Sequence, residues 1–283
     1  MIVTSLGYGY VSKYLLKKIA SDGVKCIGVT DNIKYIKKKN IENITILPRA
    51  MTIDAIKNTT HLVVTAPPKG NKCPILSKYK KEIKKSNIRA IVYLSSTGVY
   101  GDHNGQWVNE NSSLRGTNNI INKNRIKAEN SWKNYSKKNS LIFNIVRIGG
   151  IYGPERLKSD ANSFKNIITK KEHFFSRINV LDISRLITYI LFNSSKNETW
   201  NLVDDLPTTR KTFVERLIQL KKVKNYNFKN YEDLKKSIPK SKRKFWEANK
   251  KVSNQKVKSR FQYTFLFPSY LTGLKFTTKN SKH

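Results

Sequence analysis

"MIVTSLGYGYVSKYLLKKIA" (Met1–Ala20) opens with a short apolar run, Ile2–Leu6, turns at Gly7-Tyr8-Gly9, and continues with Leu15, Leu16 and Ile19 at helical spacing. The pattern predicts a strand, a tight turn and a helix over Val11–Ala20. In a strand-turn-helix of this kind the first glycine permits the turn and the second lets the backbone approach a pyrophosphate. The third lets helix and strand pack closely. Gly7 and Gly9 fill the first two places, and Ser12 stands in the third. A serine adds only a small side chain, so the N–H groups at the helix start still point at any anion placed there. Glycine turns join strands to helices in many folds. The place of this one, between the first strand and an amphipathic helix, makes Gly7, Gly9, Tyr10 and Val11 a candidate nucleotide loop.

Working outward, apolar runs at 24–30, 44–48, 61–68 and 90–96 predict further strands. Helices are expected at Thr52–Asn58, with Thr52 as its cap, and near Ile75–Lys85. The runs at 61–68 and 90–96 are continuously apolar, as in central parallel strands covered on both faces. Later come a polar helix (118–137), a strand (141–148), a helix opening at Val180-Leu181-Asp182 with Asp182 as cap, a strand (199–205) and a helix (209–222). The lysine-rich stretch after it has no clear assignment. Strands alternating with helices imply an α/β protein with a Rossmann-type, doubly wound parallel sheet. Such a site holds the adenosine ribose through an acid at the end of the second strand. Thr30 falls at that place and Asp31 follows. Either Asp31 turns inward and selects NAD, or it is a turn residue and leaves Thr30 and nearby lysines tolerant of a 2′-phosphate.

The 283 residues carry 43 Lys and 12 Arg against 19 acidic residues, for a formal net charge of +36. That balance ordinarily points to nucleic acid or an acidic surface. Here lysine outnumbers arginine, whereas groove and phosphate readers lean on arginine as well as lysine, because the guanidinium gives bidentate contacts. The lysines are also spread along the chain, at 33–40, 78–85, 221–230 and 239–251, with no recognition motif beside them. We expect a solvated lysine surface that binds RNA non-specifically at low salt, and no specific nucleic-acid partner. Cys26 and Cys73 lie in unrelated segments without CxxC spacing, which fits a reducing compartment. No run approaches the roughly 18 apolar residues of a membrane span, and no basic region precedes an apolar run at the N-terminus. The expectation is a cytoplasmic protein with no membrane partner. His61, His103, His173 and His283 are scattered and imply no metal site.

The loop, "VVTAPP" (63–68) and "LSSTGVYGD" (94–102) together resemble the short-chain dehydrogenase/reductase superfamily, in its extended or atypical branch of NAD-dependent epimerases and dehydratases. The likeness runs on through "RIGGIYGP" (147–154), "SRINVLDISRLI" (176–187), "WNLVDDLP" (200–207) and "NKKVSNQKVKSRF" (249–261). In that order these stretches resemble the YeeZ-like atypical subgroup over essentially the whole chain. The resemblance implies an NAD or NADP cofactor, a small-molecule substrate, and oxidoreduction or epimerisation of a sugar-like or nucleotide-linked alcohol. It implies cofactor contacts from Gly7, Gly9, Tyr10, Val11, Thr30, Asp31, Thr65, Ala66, Pro67 and Ser95. It further implies a nucleotide-binding region over 1–206, with 155–176 on the substrate side, and a small C-terminal substrate lobe over 207–283. A homodimer through helices near 118–137 and 160–170 follows by analogy.

Active members of that superfamily place a serine or threonine three residues before the valine of VYG, and a Tyr-x-x-x-Lys pair on the next long helix. Counting from Val99, Ser96 takes the serine's role of hydrogen-bonding the reacting oxygen. Aligning "RIKAE" (125–129) with the end of that helix puts Arg125 at the lysine's place and Ile121 at the tyrosine's. Isoleucine cannot transfer a proton. Tyr152 is the candidate substitute, and Arg125 is expected to hold the nicotinamide ribose or an acidic substrate. The lost tyrosine keeps a second expectation open, a dinucleotide-binding sensor or scaffold without catalysis.

Overall fold

The computed structural model describes residues 1–36, 41–157 and 164–279. Part of the 33–40 lysine run, residues 158–163 and His283 lie outside them. Five strands, Ile2–Leu6 (β1), Lys25–Thr30 (β2), Ile44–Pro48 (β3), His61–Val64 (β4) and Ala90–Ser96 (β5), join Ile142–Ile148 and Glu198–Leu202 in one sheet. Its order is Glu198–Leu202, Ile142–Ile148, β5, β4, β1, β2, β3. The pairs β1–β2, β1–β4, β2–β3 and β4–β5 are all parallel. The winding therefore reverses between β1 and β4, the kind of switch point outside whose strand ends open α/β sheets bind ligands.

Adjacent residues of β1 show that both faces of the sheet are covered. Thr4 accepts a hydrogen bond from Thr59, which follows the helix Thr52–Lys57, while Ser5 lies 2.7 Å from Ser12 of the helix Tyr10–Ser21 (α1). On the Thr4 side, Leu6, Val64, Ile91, Tyr93 and Phe143 pack with Ile56, Leu76, Ile83 and Trp132 in one core. Trp132 is fully buried, stacks on Phe143 at 5.9 Å and donates its indole N–H to the Cys73 sulfur at 3.3 Å. These strands are buried on both faces, which is why they read as continuous apolar runs.

Three local expectations are corrected. Thr52 does not cap its helix: Met51 holds the cap position, and the Thr52 hydroxyl donates instead to the Arg49 carbonyl at 2.6 Å. The strand expected over 61–68 stops at Val64, because the N–H groups of Thr65 and Ala66 both turn to the Leu6 carbonyl (3.1 and 3.2 Å) and bend the chain. No helix spans 164–170; the β-branched run there forms the strand Ile167–Thr169, paired with Phe228–Asn230.

By compactness the chain divides into two units, the first of Met1–Ser96, Ile120–Arg147 and Ile183–Trp200, the second of Thr97–Asn119, Ile148–Asp182 and Asn201–His283. The second unit is built from two-stranded pairs, Arg177–Asn179 with Gly150–Tyr152 among them, around Tyr152, Phe164, Ile167, Leu217, Ile218, Tyr270 and Leu274. Its lysine-rich segment folds on three apolar anchors, Tyr231, Ile238 and Trp246. Among the described residues no helix is long and apolar enough to cross a membrane.

Candidate functional site

At the switch point, the carbonyl of Gly7 gathers three hydroxyls from three segments. Ser12 donates to it at 2.6 Å, Thr65 at 2.5 Å and Ser5 at 3.2 Å, and the Ser5 and Ser12 hydroxyls lie 2.7 Å apart. Ser12 is fully buried. The residue in the third glycine's place thus ties the loop down and is more than a small filler. Thr65, expected at the cofactor, uses its hydroxyl on the loop itself. Gly7 must be glycine twice over: its φ is +104°, and a Cβ there would stand 2.5 Å from the Thr65 hydroxyl oxygen. Ser12→Ala removes one buried hydroxyl from this cluster and is expected to destabilise the protein by about 1 kcal/mol in chemical denaturation. Unchanged stability would show that the hydroxyl does not hold the loop.

Gly9 is different. It caps α1 with φ −107°, a value open to any residue, it is exposed, and an added Cβ would meet nothing within 4 Å. No side chain caps the helix, and its first turn holds no acid. An exposed glycine that neither its backbone nor its neighbours require leaves room for a ligand to approach the chain, with the start of a helix behind it. These residues fit a bound diphosphate. Tyr10 and Val11 follow in the first turn, each half-buried, and Ala66 and Pro67 continue the bend after β4.

At the end of β2 the Thr30 hydroxyl accepts from the Asn32 N–H at 3.1 Å, and the Asp31 carboxylate pairs with Arg49 at 2.8 Å. At the end of β5, Ser95 and Ser96 point to opposite faces of the strand. Ser95, expected at the cofactor, is buried, and its hydroxyl donates to Glu129 at 2.6 Å. Glu129 in turn is held by Arg147 at 2.8 Å, with both side chains almost wholly buried. Ser95 therefore serves this interior network, and Ser96 is half-buried. The helix Ile120–Lys138 carries Arg125, half-buried and near enough to Tyr93 to oppose the upward push of burial on that phenol. Ile121, in the first turn, is 60% exposed.

Tyr152 belongs to the second unit's core. It is buried, its ring lies against Phe213 and leaves no room for a side chain at Gly273, and its hydroxyl reaches the Ser269 carbonyl at 3.4 Å. Burial and the Asp204 and Asp182 charges push the phenol further up from its ordinary value, so it is no ready proton donor. Asp182 is not its helix's cap. Its carboxylate accepts from the Tyr263 hydroxyl and from the N–H groups of Leu266 and Phe267, while Asn179 accepts from the Leu181 N–H at 3.0 Å. Asp205 is bonded to Asn254 and Lys258 at 2.8 and 2.9 Å, and burial pushes the Asp204 carboxyl up. Glu129 ends "RIKAE" and Arg147 opens "RIGGIYGP", but neither stretch shows from the sequence alone that the two side chains meet.

No family model matches the chain, and no curated protein matches it in sequence. Among solved structures, a functionally unknown conserved protein from Silicibacter pomeroyi matches with 25% identity and a TM-score of 0.89, over 100% of this chain and 99% of the other. The Thermus thermophilus UDP-glucose 4-epimerase in complex with NAD matches at 11% identity and a TM-score of 0.77, over 99% and 98%. The human epimerase family protein SDR39U1 with NADPH matches at 14% and 0.70, over 99% of both chains. At full coverage, with the sheet order and switch point described above, the chain has the Rossmann fold of the extended short-chain dehydrogenases/reductases.

Proposed function

We propose that the chain binds NAD or NADP at the loop Gly7–Ser12 and acts as an oxidoreductase or epimerase on a sugar-like or nucleotide-linked alcohol. The observation that carries this reading is Gly9, exposed and unconstrained at the start of α1, beside the switch point of the sheet. Two proteins of the same fold support it: the human SDR39U1 structure is with NADPH, and the Thermus thermophilus UDP-glucose 4-epimerase, named for a sugar nucleotide, is in complex with NAD. When bound, the nicotinamide supplies or withdraws hydride. Ser96 hydrogen-bonds the reacting oxygen. Arg125 holds the nicotinamide ribose in place of the family's lysine; its guanidinium stays charged and so does not relay a proton. Ile121 leaves the proton to another group.

The exposed Ile121 favours a second reading, a dinucleotide-binding sensor or scaffold without turnover. Incubating wild type and Ser96→Ala with each dinucleotide and a panel of sugar nucleotides and small carbonyls separates the two. Turnover by wild type that falls at least about 100-fold in the variant is expected, the usual scale of one positioned acid–base or oxyanion group. Equal rates remove Ser96 from the mechanism. Cofactor binding without turnover on any substrate supports the second reading.

A further inference from the structure

In the second unit, His173 is 1% exposed, and neither of its ring nitrogens has a hydrogen-bond partner among the described residues. Its ring lies 4.7 Å from that of Phe175 and 5.6 Å from that of Trp246, and Tyr231 stacks on the same indole at 5.3 Å. A neutral imidazole still carries one N–H and one lone pair, so burying both unpaired costs free energy that an apolar ring in the same place would avoid. The groups that face it decide what a proton would do there. Lys170, from its own stretch, and Lys250, from the end of the lysine-rich segment, oppose a charge on the ring, while Asp102 favours one. Burial pushes the Lys250 amine down only to about 8, so it is a cation below neutral pH. Asp102 is exposed and already accepts from the N–H groups of Asn249 and Asn104 at 2.9 and 3.2 Å, and the adjoining Glu172 is exposed as well. Lys170 pairs with Glu232 at 3.5 Å and donates to the Trp246 carbonyl at 3.2 Å, the backbone acceptor that would otherwise draw a proton to the ring. Arg177 lies over Phe175 and Arg210 over Trp246, at 5.3 and 5.7 Å. An imidazolium at this place would be desolvated, unpaired and set among cations. Burial and the two lysines accordingly push His173 down to about 4.

We infer that His173 is an acid-sensitive latch: neutral, it lets the segment 228–250 close on the strand Phe174–Phe175, and protonated, it releases that segment. The contacts at stake flank the histidine on both sides. The Asn249 side chain accepts from the Phe174 N–H at 2.8 Å and donates to the Glu172 carbonyl at 2.7 Å, and Trp246 packs on the imidazole between them. Released, the segment gives His173 water and leaves Phe175, Trp246 and Tyr231 uncovered. Because the closed form binds the proton less well than a solvated imidazole, the latch holds fully above about pH 6.5 and loosens as pH falls toward about 4. It needs no bound dinucleotide.

Amide hydrogen exchange of the full chain at pH 7 and pH 5, corrected for the intrinsic exchange rate, tests it in wild type, His173→Phe and His173→Gln. In wild type the amides of 228–250 are expected to lose protection roughly tenfold or more at pH 5, while those of β1 and β5 serve as the reference. Both variants lack the titrating ring and are expected to keep the protection of 228–250 within about twofold between the two pH values. Phenylalanine suits the aromatic cluster, and glutamine keeps a polar group there, so one reads the result if the other fails to fold. The titration of the His173 imidazole, followed by NMR in the wild-type protein, decides independently of either variant: it is expected to fall well below that of an exposed histidine. An equal loss of protection in wild type and variants, protection in wild type that does not change with pH, or a ring that titrates near 6.5 overturns the latch.

Discussion

Gly7→Ala is expected to lower the melting temperature by roughly 10 °C, whereas Gly9→Ala, two residues away, leaves stability within about 1 kcal/mol of wild type. The difference follows from the geometry of the two positions. Gly7 sits at φ +104°, where a side chain is strained by about 1–3 kcal/mol, and its Cβ would overlap the Thr65 hydroxyl that closes the loop. Relieving that overlap moves β4 against β1, at a further cost of about 1–3 kcal/mol typical of an overpacked site. Gly9 has an ordinary φ and open space around it. Its alanine variant folds, but the methyl group stands where a diphosphate would approach, so affinity for NAD(P) is expected to fall about tenfold or more, in line with lost contacts to a helix N-terminus. Thermal melts and calorimetric titrations of both variants read the two effects separately. A Gly9→Ala protein that binds dinucleotide as tightly as wild type would contradict the placement of the ligand.

A stability effect of similar size is expected from the interior of the first unit. Glu129 and Arg147 are 1% and 3% exposed and form an ion pair at 2.8 Å, with the Ser95 hydroxyl donating to the same carboxylate. Removing one partner strands a buried charge, so Glu129→Ala or Arg147→Ala is expected to cost about 3–5 kcal/mol. Replacing both together, Glu129→Leu with Arg147→Met, keeps volume and removes both charges, and is expected to recover most of that loss. Chemical denaturation of the two singles and the double completes the cycle. Single variants that lose less than about 1 kcal/mol, the level of an exposed pair, would contradict the burial of this network. The Ser95–Glu129 hydrogen bond also fixes the end of β5, from which Ser96 projects, to the helix that carries Arg125. A folded Glu129→Gln protein is therefore the milder way to test whether that anchoring matters for turnover.

The sheet was legible in the sequence because its central strands β4 and β5 are buried on both faces and read as near-continuous apolar runs, and because the loop glycines sit at the first strand end. What escaped was set by distant groups. Ser12 read as a spacer, yet its partners are Ser5 in the preceding strand and Thr65 after β4. Asp182 read as a cap from its place at a helix start, while its carboxylate is taken by residues 81 to 85 positions away. Tyr152 carried a family motif and a titratable hydroxyl; only its packing against Phe213 and Gly273 reveals a core side chain. The lysine-rich segment after residue 221 has no periodicity to find. Its order comes from Tyr231, Ile238 and Trp246, and from Arg243 donating to the carbonyls of Ile238 and Lys236.

The most direct test of the account is calorimetric titration of the purified wild-type protein with NAD+, NADH, NADP+ and NADPH, at salt high enough to suppress the attraction of a +36 chain for any anion. The account predicts saturable binding to at least one of them, at about micromolar affinity, that persists as salt is raised. Binding of none, or binding that vanishes with salt as a non-specific charge effect does, would contradict the claim that a Gly7, Gly9, Ser12 loop tied by three hydroxyls serves a dinucleotide.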